Sequence, residues 1–266
     1  MNIKILVATH KKYWMPTDNV YLPIQVGAIK KEEDFGYLKD NTGYNISIKN
    51  PNYCELTALY WAWKNLKCDY IGLCHYRRYF AHKTRKHSLI EKKNAIYLRK
   101  DYENILKKYD IILVRPTIIK PNKENNYIKN GLDEYYLHHN KKDLDIVKSI
   151  IIKMYPDYIN SFNKVMNNNI FYFGNMFVMR KSLSDSYCTW LFSILFEAEK
   201  YIDISSYDKY QSRVFGFLSE RLFNVWLDKQ NVKIFNSRMV FLEASNQSKK
   251  TSCLKNILTS IRNIFR

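Results

Sequence analysis

Tyr70-Ile71-Gly72-Leu73-Cys74-His75-Tyr76-Arg77-Arg78-Tyr79 reads as a short buried strand that runs directly into a histidine and two arginines. The apolar run Tyr70 to Cys74 has the length and composition of a strand covered on both faces. A guanidinium keeps its charge at any physiological pH, and its planar donor fork matches phosphate oxygens two at a time. In open α/β sheets, ligands sit at the carboxyl ends of strands. Phosphate is therefore the expected partner of Arg77 and Arg78, with His75 beside them. The competing reading is an ion pair with Asp69 or Asp110 that only steadies the strand.

Outward from this segment the chain alternates strand and helix. Ile3 to Ala8 reads as a first buried strand, followed by the polar loop Thr9-His10-Lys11-Lys12. From Pro51 to Leu66, the spacing of Leu56, Leu59, Tyr60, Trp63 and Leu66 predicts a helix. A helix from Leu98 to Lys108 leads to a third strand, Asp110 to Val114, and the polar stretch Thr117 to Asn130 reads as a loop over the site. Asp143 to Tyr155 predicts an amphipathic helix, Ile170 to Met179 a strand containing Gly174-Asn175, and Leu183 to Tyr201 and Val214 to Leu227 two long helices. The expected fold is α/β, a mostly parallel sheet with helices on both faces and a more helical C-terminal half.

A chain of 266 residues with 46% hydrophobic composition buries a full core, and one domain is the default. Five cysteines, with no CxxC pair, signal neither a disulfide frame nor a zinc site, so a cytoplasmic setting is expected. The N-terminus runs into a strand rather than a signal peptide, and no stretch reaches the roughly 18 apolar residues of a membrane span. The net charge of +18 invites a nucleic-acid reading. The lysines are scattered and no nucleic-acid-binding motif is present, so no nucleic-acid partner is expected. A basic surface equally suits anionic lipid and sugar diphosphates.

Several ordered blocks carry a more specific message: Thr9-His10-Lys11, Pro23 to Ala28, Asp40 to Ser47, Asn50 with Tyr53 to Thr57, Trp61 to Asn65, His75 to Phe80, Asn175 to Met179, Tyr187 to Phe192 and Gly216 to Leu222. Together they resemble the bacterial capsular and exopolysaccharide synthesis family first described as a domain of unknown function, DUF4422. The resemblance covers residues 1–245. It implies a glycosyltransferase with a GT-A-like, Rossmann-type fold that adds a sugar from a nucleotide-sugar donor to a growing, lipid-linked surface polysaccharide. UDP-galactofuranose is the leading donor it suggests.

Such enzymes usually hold the leaving diphosphate with a divalent metal on an Asp-x-Asp strand end. Here His75-Tyr76-Arg77-Arg78 stands at that place, and Asp143-Leu144-Asp145 opens a helix, where acidic residues are expected for dipole reasons. The reading favours no metal ligand and no cofactor, the arginines neutralising the diphosphate instead; a divalent metal is the less favoured alternative. Donor contacts are assigned to Thr9, His10, Lys11, Asp40, Asn45, Asn50, Glu55, His75, Arg77 and Arg78. Turn formation around Gly43 is the rival account of Asp40 and Asn45, and helix capping that of Glu55. Candidate bases are Glu220, in an apolar helix that raises its pKa, His139 oriented by Asp143, Asp143 itself and Asp185. An ion pair from Glu220 to Arg221 or Arg213 is the rival for Glu220. Asn175 and Arg213 are assigned to the saccharide acceptor. Trp61, Trp63, Trp190 and Trp226 fall at helical spacings and most read as core, with stacking of one on a sugar ring as the alternative.

Residues 246–266 form a basic tail whose apolar positions Leu254, Ile257, Leu258, Ile261, Ile264 and Phe265 share one helical face. From Lys249 onward this is the pattern of a helix lying on an anionic membrane, here the inner face of the plasma membrane. Docking on the domain's own core is the alternative. A rival of another class is a non-catalytic basic module for RNA or anionic polymer.

Overall fold

The computed structural model describes residues 1–84, 88–121 and 127–242, and the tail of residues 246–266 lies outside them. In chain order the strands are β1 (Ile3–Thr9), β2 (Tyr21–Gln25), β3 (Leu38–Lys39), β4 (Tyr70–His75), β5 (Arg78–Ala81), β6 (Ile111–Val114), β7 (Thr117–Ile118), β8 (Ile170–Phe171), β9 (Phe177–Arg180) and β10 (Ile234–Phe241). The helices are α1 (Asn50–Tyr53), α2 (Leu56–Asn65), α3 (Leu89–Asn94), α4 (Arg99–Leu106), α5 (Gly131–His138), α6 (Lys141–Met154), α7 (Ile159–Met166), α8 (Lys181–Ala198) and α9 (Val214–Asp228).

The main sheet is mixed, which corrects the mostly parallel expectation. β1 pairs in parallel with β2 and β4, β2 with β3, and β6 with β10. β9 enters antiparallel between β4 and β6, and β5 runs antiparallel to β10. β5 also meets β4 at a single position, His75 opposite Arg78, so β4, β9, β6, β10 and β5 form a closed circuit. The hairpin that makes this contact has Tyr76 and Arg77 as its two turn residues. Neither has the positive φ that would match the turn to strand twist. The two strands accordingly part after one pair, and β5 pairs with β10 instead.

Side-chain alternation assigns the two faces. Ile3, Ile5 and Val7 of β1 join Cys74, Ile112 and Val178 in one apolar cluster, capped by Tyr102 and Leu106 of α4. Leu6, Ala8, Leu73, Ile111, Leu113 and Phe177 point the other way, into the larger cluster built with α2, α6, α8 and α9. Trp61, Trp190 and Trp226 are buried there, and Trp63 stacks on Phe192 at 5.7 Å.

Two predicted elements are broken. The helix expected from Pro51 to Leu66 is split at Cys54, whose φ of 52° and ψ of −132° interrupt α1 and α2. The strand expected over Ile170 to Met179 stops at Phe171 and resumes at Phe177, because Gly174 (φ 90°) and Asn175 (φ 49°) turn the chain through left-handed backbone.

Gly72 sits where three strands meet. A Cβ there would lie 2.8 Å from Val178 Cγ2, 3.0 Å from the Phe177 carbonyl oxygen and 3.1 Å from Ile5 Cγ1. Gly72→Ala is expected to cost about 1–3 kcal/mol through forced separation of β1 and β9, read as a lowered urea midpoint.

Candidate functional site

β1 and β4 are parallel neighbours with Ala8 opposite His75, so Thr9-His10-Lys11 and His75-Tyr76-Arg77 leave the sheet side by side at its carboxyl edge. The ring of His10 lies 5.3 Å from Tyr76 and 6.4 Å from His75, and Lys11 Nζ sits 5.4 Å from the Tyr76 ring centre. The arginines diverge, as adjacent residues at a hairpin must. Arg77 is buried between Tyr76 (5.1 Å) and Phe241 (5.7 Å). Arg78 turns toward Gly174, where an added Cβ would come within 3.2 Å of its Nη1. Both histidines are held neutral. His75 lies well below the usual imidazole range, through burial and then the charges of Arg78 and Arg77. His10 is pulled down to about 4, first by loss of water around the ring and then by Arg77 and Lys11. Burial and the neighbouring cations together keep both imidazoles unprotonated, and neutral histidines set beside Arg77, Arg78 and Lys11 suit an anion.

The opposite wall is α9. Asn224 Oδ1 accepts from Tyr172 N at 2.9 Å and its Nδ2 donates to Tyr172 O at 2.9 Å; one turn earlier, Glu220 Oε1 accepts from Gly174 N at 3.0 Å. Glu220 and Asn224 are four residues apart, roughly 6 Å along the helix, and so reach the backbone of Gly174 and Tyr172 from one helix face. Ser219 joins the same clamp through Asn175, whose Nδ2 also donates to Glu55 Oε1 at 2.8 Å. Glu55, His75, Arg78, Asn175 and Glu220 thus line one small pocket.

That pocket shares Arg78, Gly174 and Glu220 with a larger cleft of about 340 Å³, walled by Phe173, Phe217, Tyr210 and His139. Arg221 pairs with Glu134 and, at 3.2 Å, with Glu220. The ion pair weighed for Glu220 is therefore present, yet it does not keep the carboxyl strongly acidic. Burial, opposed by Arg221 and reinforced by Glu55, raises Glu220 to about 7.

Other sequence-assigned residues lie elsewhere. Asp40 is buried and accepts from Gly27 N (2.8 Å), Ala28 N (3.0 Å), Ser47 Oγ (2.5 Å) and Thr57 Oγ1 (2.6 Å), so it holds the frame beneath the crevice. Thr9 Oγ1 donates to Lys11 O at 2.5 Å and shapes the loop. Asn45 bonds Gly43 O and Ser47 N, and Asn50 bonds Cys54 O; both make local turns. Asp143 does not orient His139. It accepts from Tyr207 at 2.7 Å, outside the cleft, while His139 Nδ1 meets Gln211 Oε1 at 3.4 Å. Burial and Arg221 bring His139 down to about 2, which leaves it too weak a base to take a proton. Asp185 pairs with Lys181 along α8. Arg213 donates to Cys54 Sγ at 3.1 Å, beneath the wall formed by Phe217. Sequence reasoning missed Glu134, Phe173, Gln211, Ser219 and Asn224. For the last two, a polar residue inside the apolar run of α9 was the available signal. Among the described residues, no cluster of three His, Cys, Asp or Glu side chains is arranged to hold a metal ion, and no helix is long and apolar enough to cross a membrane.

A family model described as Domain of unknown function (DUF4422) matches residues 4–231. A solved structure described as the apo form of WbbM, a bifunctional glycosyltransferase, is similar with a TM-score of 0.83 and 28% identity, over 95% of this chain and 48% of that one. The chain spans about half the length of that protein. Comparison with curated proteins returned no match. The α/β fold with its mixed sheet is thus shared with a glycosyltransferase.

An anion entering beside His10 favours its charged form and must raise its pKa. Inorganic pyrophosphate is expected to move the His10 midpoint, followed by NMR, upward from about 4 by roughly one unit or more; an unchanged midpoint would place the anion elsewhere.

Proposed function

We propose that this chain, which belongs to the family described as Domain of unknown function (DUF4422), transfers a sugar from a nucleoside diphosphate donor to a saccharide hydroxyl. The observation that carries the reading is Glu220: a carboxyl raised to about 7, fixed by the Gly174 amide, in the same small pocket as Arg78. A base for a hydroxyl and a fixed cation for a leaving diphosphate are the two groups that glycosyl transfer needs.

In this reading the diphosphate lies at the carboxyl edge of β1 and β4, with Arg78, Lys11 and the neutral His10 and His75 around it. The acceptor oxygen attacks the anomeric carbon in a single displacement with inversion. Its proton passes to Glu220, the bond from that carbon to the phosphate oxygen breaks, and Arg78 receives the charge that develops there. Arg77 acts from behind, its charge adding to the burial that keeps the histidines neutral. The side chains do electrostatically what a divalent cation does in other sugar transferases. Glu55 holds Asn175, and through it the Gly174 turn, in place.

The finer reading rests on the family resemblance: a GT-A-like catalytic unit over residues 1–245, a UDP-sugar donor with galactofuranose the leading sugar, and a lipid-linked polysaccharide acceptor reached from the inner face of the plasma membrane. The basic composition of residues 246–266 supports that last point.

Glu220→Gln is expected to lower turnover of a nucleotide-sugar panel by about 10²–10⁴-fold while melting at an unchanged temperature. Because the base must be ionised, the wild-type rate rises with pH through about 7 and levels off above it. Full activity in the variant would refute the assignment. Arg78→Ala should abolish turnover with and without added magnesium or manganese. Rescue of turnover by either metal would show that a cation, not the side chain, receives the diphosphate.

A further inference from the structure

We infer that the cleft beside Glu220 is the acceptor subsite for a hydroxyl-bearing sugar ring, and that His139 reads that sugar as a fixed hydrogen-bond acceptor. This rests on the glycosyl-transfer reading and extends it to the class of acceptor.

The argument begins at Gln211. Its Nε2 donates to the His138 carbonyl at 2.7 Å, so its amide can face only one way, with Oε1 toward His139 Nδ1 at 3.4 Å. An amide oxygen only accepts, and Nδ1 must therefore carry the ring's hydrogen. Nε2 is left as a bare lone pair. The ring does not escape this state by taking a second proton, because burial and the Arg221 charge oppose it. Nor does it rotate freely: it stacks on Phe217 with centroids 4.1 Å apart and planes 26° from parallel, with Tyr135 at 4.9 Å.

A neutral acceptor fixed in this way selects for a donor. Hydroxyl groups qualify, whereas carboxylate and phosphate oxygens offer no hydrogen. The neighbouring wall agrees. Arg221 is almost fully buried and already balanced by Glu134 and Glu220, yet its Nε has no hydrogen-bond partner among the described residues. Arg78 and Arg115 line the same cleft, so the selection is for a hydroxyl at His139 and not against charge elsewhere on the ring. Phe173, Phe217 and Tyr210 supply aromatic faces of the kind against which the C–H face of a sugar packs. The cleft meets the donor pocket at Arg78, Gly174 and Glu220, so a sugar held here presents a hydroxyl to Glu220 from the side opposite the diphosphate.

The test uses the full chain, with neutral methyl hexopyranosides and their fully O-methylated counterparts as probes in saturation-transfer NMR. Nucleoside diphosphate affinity is measured in parallel. The free glycoside is expected to bind and the O-methylated one, which has no hydroxyl to donate, to be rejected. His139→Phe, which keeps the stack and removes the lone pair, should weaken the neutral glycoside about tenfold and leave nucleotide affinity within about twofold. Gln211→Leu, which frees the tautomer without touching the cleft wall, should weaken it by a smaller factor, and carries the test if His139→Phe does not fold. Equal or tighter binding of the O-methylated glycoside, unchanged binding in both variants, or displacement of the sugar by nucleoside diphosphate would each overturn the proposal. Sugar binding of the expected pattern in a protein that neither binds nor turns over any nucleotide sugar would instead remove the glycosyl-transfer reading and leave the cleft as a sugar site.

Discussion

A single residue pair, His75 opposite Arg78, is the contact on which the arrangement of the site depends. Arg78 is buried and faces Phe241 of β10 on its other side. A longer β4–β5 ladder would hold β5 against β4 and away from β10. One pair is enough to bring the arginine out of the turn at a fixed place, and the divergence that follows lets β5 reach β10. Through β10, β6 and β9 the circuit returns to β4, bringing the Gly174-Asn175 turn and α9 against the same arginine. Cation and carboxyl are thereby set by sheet closure, with no long loop needed to carry either.

Electrostatically the site is lopsided by construction. Toward β1, burial and the charges of Arg77, Arg78 and Lys11 hold His10 and His75 neutral. Toward α9, burial works on Glu220 against the pull of Arg221 and leaves it near the middle of its titration at neutral pH. Such groups cost folding stability, and the offset comes from the frame beneath. Asp40 gathers two backbone amides and two hydroxyls, and α9 is buried along nearly its whole length. Local departures from good packing chemistry, paid for by a conventional core, mark a functional site.

Much of this was legible in the residues. The strand cores of β1, β4 and β6 and the long helices α6, α8 and α9 stand out because their apolar patterns are uninterrupted, and the basic edge after β4 follows from composition. β5 and β10 were not read: β5 has only four residues, and β10, Ile-Phe-Asn-Ser-Arg-Met-Val-Phe, is half exposed and alternates poorly. Without them the sheet looks parallel. The site was legible in type and less so in detail. Glu220 stood out as a carboxylate in an apolar helix, whereas spacing alone suggested Asp143 as the partner of His139. The actual partner, Gln211, lies 72 positions away, in the turn that precedes α9, and is held there by its bond to the His138 carbonyl. Asp40 and Asn50 have side chains suited to ligands, and a sequence does not tell whether such groups face the solvent or a neighbouring amide.

The clamp between α9 and residues 172–174 grips main chain, not side chains. Substitutions at Tyr172 and Phe173 therefore leave the grip itself intact, whereas adding or deleting one residue would carry Gly174 out of reach of Glu220. Divergence among homologues in this stretch is thus constrained in length before it is constrained in identity, and an insertion or deletion there would mark a relative that has given up this geometry.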